Sequence, residues 1–160
     1  MRTPRIHTAQ PLEVGNRIVL DDEQGRHLIR VLRLRQGAAV KLFNGDGAEY
    51  LGEITGHDRN RVEVTLSSHQ GNEPPPPLRI HLALAISKGE RMDFAIQKAV
   101  ELGVSVITPL LSQRSVVRVS QQRWSNKINR WHKIMIAACE QSGRCRVPEL
   151  KAPVDLADWL

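Results

Sequence analysis

The residues best equipped for chemistry in this sequence are its cations, and their spacing says more than their number. No acidic residue occurs between Glu101 and Glu140, while Arg114, Arg118, Arg123, Lys127, Arg130 and Lys133 all fall there. A second acid-free window, residues 24–44, holds Arg26, Arg30, Arg33, Arg35 and Lys41. Guanidinium and ammonium groups gathered in this way can neutralise phosphates, and arginine can offer two hydrogen bonds at once. A solvated basic face is the plainer alternative. The chain has a formal charge of +6 and a pI near 9.9, which favours an acidic partner such as nucleic acid. Residues 1–77 carry ten basic and ten acidic side chains, whereas residues 78–160 carry thirteen and seven, so the second half supplies the whole excess.

Other chemistries find little support. His7, His27, His57, His69, His81 and His132 show no paired metal-ligand spacing, and Cys139 and Cys145 form no C-x-x-C, so no metal site is expected. Two cysteines are also too few for a disulfide framework. There is no Walker A loop and no G-x-G-x-x-G, and the partial nucleophile elbow at residues 85–89 has Ala85 where a glycine belongs. Ser87, Lys88 and Gly89 could hold a phosphate through backbone N–H groups and the lysine, or could simply turn the chain. Glu101 and Glu140 read as orienting or salt-bridging groups, and no residue is assigned as catalytic. The opening MRTPRIH lacks the apolar core of a signal peptide, and no run approaches the roughly 18 apolar residues of a membrane span. A cytoplasmic protein without membrane contact is expected. No helix-turn-helix spacing points to DNA.

The elements that must position these cations fall into two halves. Residues 71–77, GNEPPPP, cannot join a ladder or a helix and mark a junction. Before it, residues 16–20, 38–43, 49–54 and 61–66 read as short strands, with a hairpin at Asn44-Gly45-Asp46-Gly47. A single helix over residues 23–34 would turn Leu28, Val31 and Leu32 inward. This pattern suggests a small β-barrel with one helix. After the junction the rhythm is βαβα: a buried strand at 78–86, a helix over 90–102 closed by Gly103, a strand at 104–109, a helix from an N-cap at Ser120 to Gly143, and a short strand at 146–150. In the long helix Trp124, Ile128, Trp131, Met135 and Ala138 form one apolar stripe, so the tryptophans are read as core rather than base-stacking platforms. In an open parallel sheet ligands bind beyond the carboxyl ends of the strands. That rule points to Ser87, Lys88 and Arg91, to residues 110–114 with Arg114, and less directly to Arg144. Residues 155–160 read as a helix that stops without a C-cap, and a truncated chain is expected.

Several runs are similar to one known family. Residues 88–111, KGERMDFAIQKAVELGVSVITPLL, residues 137–144, AACEQSGR, and residues 147–149, VPE, resemble the ribosomal RNA small-subunit methyltransferase E family. So do residues 27–33, HLIRVLR, with Gly37, the opening Pro4-Arg5-Ile6 and residues 43–46, FNGD. The resemblance spans essentially the whole chain. It implies a mixed fold: a PUA-like RNA-binding β-barrel at 1–72, a proline linker at 73–77, and at 78–160 the first part of a SPOUT-type α/β domain with a parallel sheet. It also implies S-adenosyl-L-methionine-dependent N3-methylation of a uridine in 16S ribosomal RNA by a homodimer. The family builds most of its cofactor pocket from glycine-rich loops and a knotted tail that this chain lacks. Thr108, Pro109 and Leu110 are left as a possible pocket edge, cofactor binding is expected to be weak or absent, and the chain alone is expected to be inactive. The RNA contacts expected are Arg30, Arg33, Lys88, Arg91, Arg114 and Arg144, on 16S rRNA or the small ribosomal subunit. The rival reading is a non-catalytic ribosomal RNA-binding module.

Overall fold

The structure, a computed structural model, describes residues 3–59, 61–112 and 121–160, without the side chains of residues 121 and 122. Arg114, Arg118 and the expected N-cap Ser120 lie outside the described residues. The chain divides into two compact units, Met1–Pro74 and Pro75–Leu160.

In the first unit, β1 (Arg5–His7), β2 (Arg17–Leu20), β3 (Ala39–Phe43), β4 (Ala48–Asp58) and β5 (Arg61–Asn72) form one sheet in the order β1-β3-β4-β5-β2. The hairpin read at residues 44–47 joins β3 to β4. Apolar residues from all five strands, among them Ile6, Ile18, Val40, Ile54 and Val64, converge with Leu28 on a single core, so the sheet wraps into a PUA-like barrel. Gly52 permits that curl. A Cβ there would lie 2.6 Å from Val64 Cγ1 and 2.9 Å from the Thr65 carbonyl oxygen, and the β4–β5 register shifts beside it, as at a bulge that bends a strand.

Two features of this unit depart from the sequence reading. Residues 5–7, left without an element, form β1 and pair in parallel with β3, His7 opposite Phe43. The single helix expected over 23–34 is instead α1 (Asp22–Arg26) followed by a π turn (His27–Val31). In that turn the Leu32 N–H donates to the His27 carbonyl, five residues back, at 3.0 Å. The wider turn rotates the inward face: Leu28 is fully buried, while Val31, expected inside, is 65% exposed.

The second unit contains β6 (His81–Ala85), α2 (Glu90–Glu101), β7 (Val106–Leu111), α3 (Gln121–Ser142), β8 (Glu149–Leu150), β9 (Val154–Asp155) and α4 (Leu156–Trp159). β7 is the central strand, parallel to β6 on one side and to β8 and then β9 on the other. The buried strand expected at 78–86 is shorter and less buried. Leu78 and Ile80 are exposed and Leu82, Ala83 and Leu84 half-buried, because β6 lies at the end of the described sheet. β7 also continues two residues past its expected end at Pro109. The proline is tolerated for a geometric reason. Leu110 turns its carbonyl to the β6 side, accepting from Ile86 N–H, while Ile107 accepts from Lys151 N–H on the other. Pro109 is in phase with Ile107, so its missing N–H faces the gap between β8 and β9.

α2 ends in a Schellman motif. Gly103, at φ 96, donates to the Val100 carbonyl and Val104 donates to that of Ala99, each at 3.0 Å. α2 buries Met92, Ile96 and Val100, and it packs beside α3. The apolar stripe of α3 is core as read, with Trp131, Met135 and Ala138 buried and Trp124 half-buried at 6.5 Å from the Trp131 ring.

Candidate nucleic-acid interface

In the barrel, the arginine segment is held from below. Asp21 caps α1 by accepting from Gln24 N–H at 2.8 Å, and the Gln24 side chain accepts from Asp21 N–H at 3.2 Å. The Gln24 side-chain amide also donates to the His7 carbonyl, tying the helix to β1. Leu28 plugs the core, with Ile29, Leu32 and Leu34 packed around it. With its apolar side chains so engaged, the segment presents Arg26, Arg30, Arg33 and Arg35 to solvent. Arg33 does so from the left-handed region, at φ 54, a conformation that a residue with a Cβ adopts at a cost. Such positions concentrate where a side chain has a task beyond folding.

In the second unit, Lys88 and Arg91 are exposed just past the carboxyl end of β6. Gly89, at φ 57, forms the N-cap of α2 without a side-chain cap. Glu90 and Asp93 occupy the first helical turn, so that turn is already complemented by negative charge and a phosphate gains little there. Lys88 and Arg91 are thus exposed cations rather than the arms of a phosphate loop. Glu101, at the other end of α2, accepts from Lys98 at 2.7 Å and Gln97 at 2.9 Å, bonds that hold its carboxyl below the ordinary range. It acts as a salt-bridging group.

Arg144 lies elsewhere. Its Nη1 donates to the carbonyls of Val100 and Val104, each at 3.0 Å, at the end of α2 that leads into the amino end of β7. The expected grouping of Arg144 with the carboxyl edge therefore needs correction. The Val100 carbonyl, which also accepts from Gly103 N–H, and the Val104 carbonyl hold its guanidinium at the opposite edge of the sheet.

The residues expected at a pocket edge lie in the central strand. Thr108, Pro109 and Leu110 are buried within β7, and Thr108 Oγ1 is 2.8 Å from His81 Nε2. The His81 ring in turn meets Trp159 edge-on, 4.9 Å between centroids. The residues that reach the carboxyl edge are Leu111 and Ser112. With Asp155, Leu156, Ala157, Asp158 and Leu160 they line a hollow of about 720 Å³. The sequence reading missed this hollow, because β9 is a two-residue strand too short to leave a pattern. Among the described residues no group of three or more His, Cys, Asp or Glu is placed to hold a metal ion, and no helix is long and apolar enough to cross a membrane.

Residues 74–160 match the family described as RNA methyltransferase domain, and residues 20–67 match the RNA methyltransferase PUA domain. The chain belongs to this RNA methyltransferase family. One relative, the ribosomal RNA small subunit methyltransferase E of Buchnera aphidicola subsp. Acyrthosiphon pisum, is 33% identical over 99% of the chain and 62% of its own length. Two solved structures of the family's fold are similar throughout. A Legionella pneumophila protein described as a methyltransferase, in complex with SAM, superposes with a TM-score of 0.94 at 42% identity, covering 99% of this chain and 66% of that one. The ribosomal RNA small subunit methyltransferase E of Neisseria gonorrhoeae, bound to S-adenosyl methionine, gives 0.89 at 36% identity, covering 99% and 64%. The chain thus spans somewhat less than two thirds of these relatives.

The cofactor named for those proteins can be tested against the residues here. The described lining of the 720 Å³ hollow offers two carboxylates and one hydroxyl but no cation, so the carboxylate of S-adenosylmethionine would find no charged side-chain partner in it. The Thr108 hydroxyl is already bonded to His81. These residues by themselves do not fit the cofactor as a whole.

Proposed function

We propose that the chain is the RNA-holding part of an S-adenosylmethionine-dependent methyltransferase that modifies N3 of a uridine in 16S ribosomal RNA. The observation that carries this reading is the exposed arginine segment, Arg26 to Arg35, built on a barrel of the family's RNA-methyltransferase PUA type. The names of the relatives support it, as do their cofactor-bound structures. In this reading residues 1–72 form the RNA-binding barrel, 73–77 a stiff linker and 78–160 part of the catalytic domain. Arg30, Arg33, Lys88, Arg91 and Arg114 contact the RNA. Arg144 serves by holding the second unit's fold. The whole protein works in the cytoplasm as a homodimer on 16S rRNA or the small subunit, with S-adenosylmethionine supplying the methyl group.

The test is binding of this chain to fragments tiled across 16S rRNA. One fragment should be preferred at least about tenfold over the others and over duplex DNA, a specificity of ~1.4 kcal/mol. Equal affinity for every fragment would reduce the chain to a non-specific polycation binder. Calorimetric titration with S-adenosylmethionine should give weak or undetectable binding, because the described lining of the hollow at the carboxyl edge offers no cation to the cofactor's carboxylate.

A further inference from the structure

The solvent face of α3 has a composition that folding does not require. Its core face is the stripe from Trp124 to Ala138; on the opposite side Arg123, Asn126, Asn129 and Arg130 are exposed, with Lys127 half-buried at the flank. No acidic residue occurs anywhere from residue 121 to residue 139. Solvent faces of helices ordinarily mix signs, because opposite charges three or four residues apart support the helix and like charges there weaken it. Here Arg123 and Lys127 are four apart, and Lys127 and Arg130 three apart. Part of this repulsion is relieved by the ion pair in which Arg130 Nη2 reaches Asp93 Oδ2 at 2.5 Å, with Glu90 adding to the attraction. Ser125, Asn126 and Asn129 fill the remaining exposed positions between Arg123 and Arg130, and the asparagines can donate hydrogen bonds to phosphate or ribose oxygens.

We infer that this face of α3 is a second RNA-backbone surface, centred on Arg123 and Lys127 with Asn126 between them, which grips phosphates without reading bases. The inference rests on the proposed function, which makes RNA the partner. From Arg123 to Lys133 the helix rises about 15 Å, enough to follow several phosphates of one strand. The cations lie on one side of a rigid helix, so the surface suits a continuous backbone better than a single anion. Arg130, held by Asp93, marks its boundary towards α2.

The experiment compares R123Q/K127Q and R30Q/R33Q with the unaltered chain, measuring affinity for the preferred 16S rRNA fragment over a range of salt. Loss of two phosphate contacts on α3 should lower the magnitude of the log–log salt slope by about 1.4–1.8. Thermal melting should be unchanged or slightly raised, since Arg123 and Lys127 lie off the core stripe and their mutual repulsion is removed. As a positional readout, Asn126→Cys labelled with a thiol-reactive photo-crosslinker should crosslink to the RNA. Cys139 and Cys145 are both buried, so labelling falls on the new thiol. If R30Q/R33Q weakens binding while R123Q/K127Q leaves slope and affinity unchanged and position 126 gives no crosslink, the α3 surface is refuted and the RNA reading stands. If the unaltered chain binds no RNA, both fall together.

Discussion

Arg5 and Glu49, 44 residues apart in sequence, meet at 2.5 Å between Nε and Oε1, with 6% and 15% of their side chains exposed. Lys41 binds the other carboxylate oxygen at 2.7 Å, and the Arg5 guanidinium lies 4.8 Å from the centre of the Phe43 ring. One carboxylate therefore links β1, β3 and β4 through charge-assisted bonds. Burial alone would raise the Glu49 pKa, but the hydrogen bonds from Lys41 and Arg5 outweigh it and hold the carboxyl below its ordinary range.

This sets a pH dependence with a definite sign. A depressed carboxyl pKa adds stability that is present above the ordinary glutamate value, about 4.3, and is lost as pH falls through the lower folded value. Glu49→Gln should therefore cost about 1–3 kcal/mol near neutrality. The cost should shrink towards zero in acid, where the native carboxyl is itself neutral. Urea denaturation of both proteins from pH 7 to pH 3 checks this, and a difference independent of pH would remove Glu49 from the account of acid stability.

Arg33→Gly should trade function for stability. Glycine relieves the left-handed backbone at φ 54, and after the extra freedom it gives the unfolded chain, a gain of about 0.5–1 kcal/mol is expected. RNA affinity should fall and its salt slope flatten, because one cation is gone. A lower denaturation midpoint would mean that Arg33 makes contacts that stabilise the fold. Unchanged RNA affinity would mean that its charge is only solvated.

Arg144→Ala should do the opposite to each property. Removing the guanidinium strips the Val100 and Val104 carbonyls of a charged donor, at about 1–3 kcal/mol. The salt slope of RNA binding, measured well below the melting temperature, should stay where it was. Arg144→Lys should recover only part of the stability, since an ammonium lacks the planar fork of donors. A flattened slope with full stability would restore Arg144 to the RNA surface.

If residues 1–72 and 78–160 pack separately, as proposed, a broad-specificity protease should cut first between Asn72 and Arg79. Two fragments resistant to further digestion should accumulate. Earlier cuts in the β4–β5 hairpin or in α2 would argue against that boundary.

The sequence exposed features fixed by local chemistry. The Asn44–Gly47 hairpin announces itself because Gly45 and Gly47 adopt φ 94 and 110 without strain, and the α3 stripe because helical period alone places Trp131 and Met135 inside. It concealed features set by distant partners. β1 is three residues long and defined by a strand 36 positions later, and nothing local stops the α-helix at Arg26 in favour of a π turn. The site divides in the same way. The arginines of residues 26–35 stand out because no acid interrupts them, whereas the partners of Arg144 are backbone carbonyls, which no residue type advertises. Leu111, Ser112 and Asp158 share a hollow only because β9 docks beside β7.

The order of strands in the first sheet has a consequence for synthesis. The two strands made first are its two edges: β1 waits for β3, and β2 pairs only with β5, Leu20 opposite Val62 and Arg17 opposite Thr65. At ribosomal rates of about 5–20 residues per second, Leu20 precedes Leu66 by roughly 2–9 s. Throughout that interval Ile18 and Leu20, both destined for the core, have no strand to pair with, and Ile6 has none until β3 is made. The barrel therefore assembles late and nearly at once, and a nascent chain stalled before β5 displays apolar, unpaired strands to chaperones and to its neighbours.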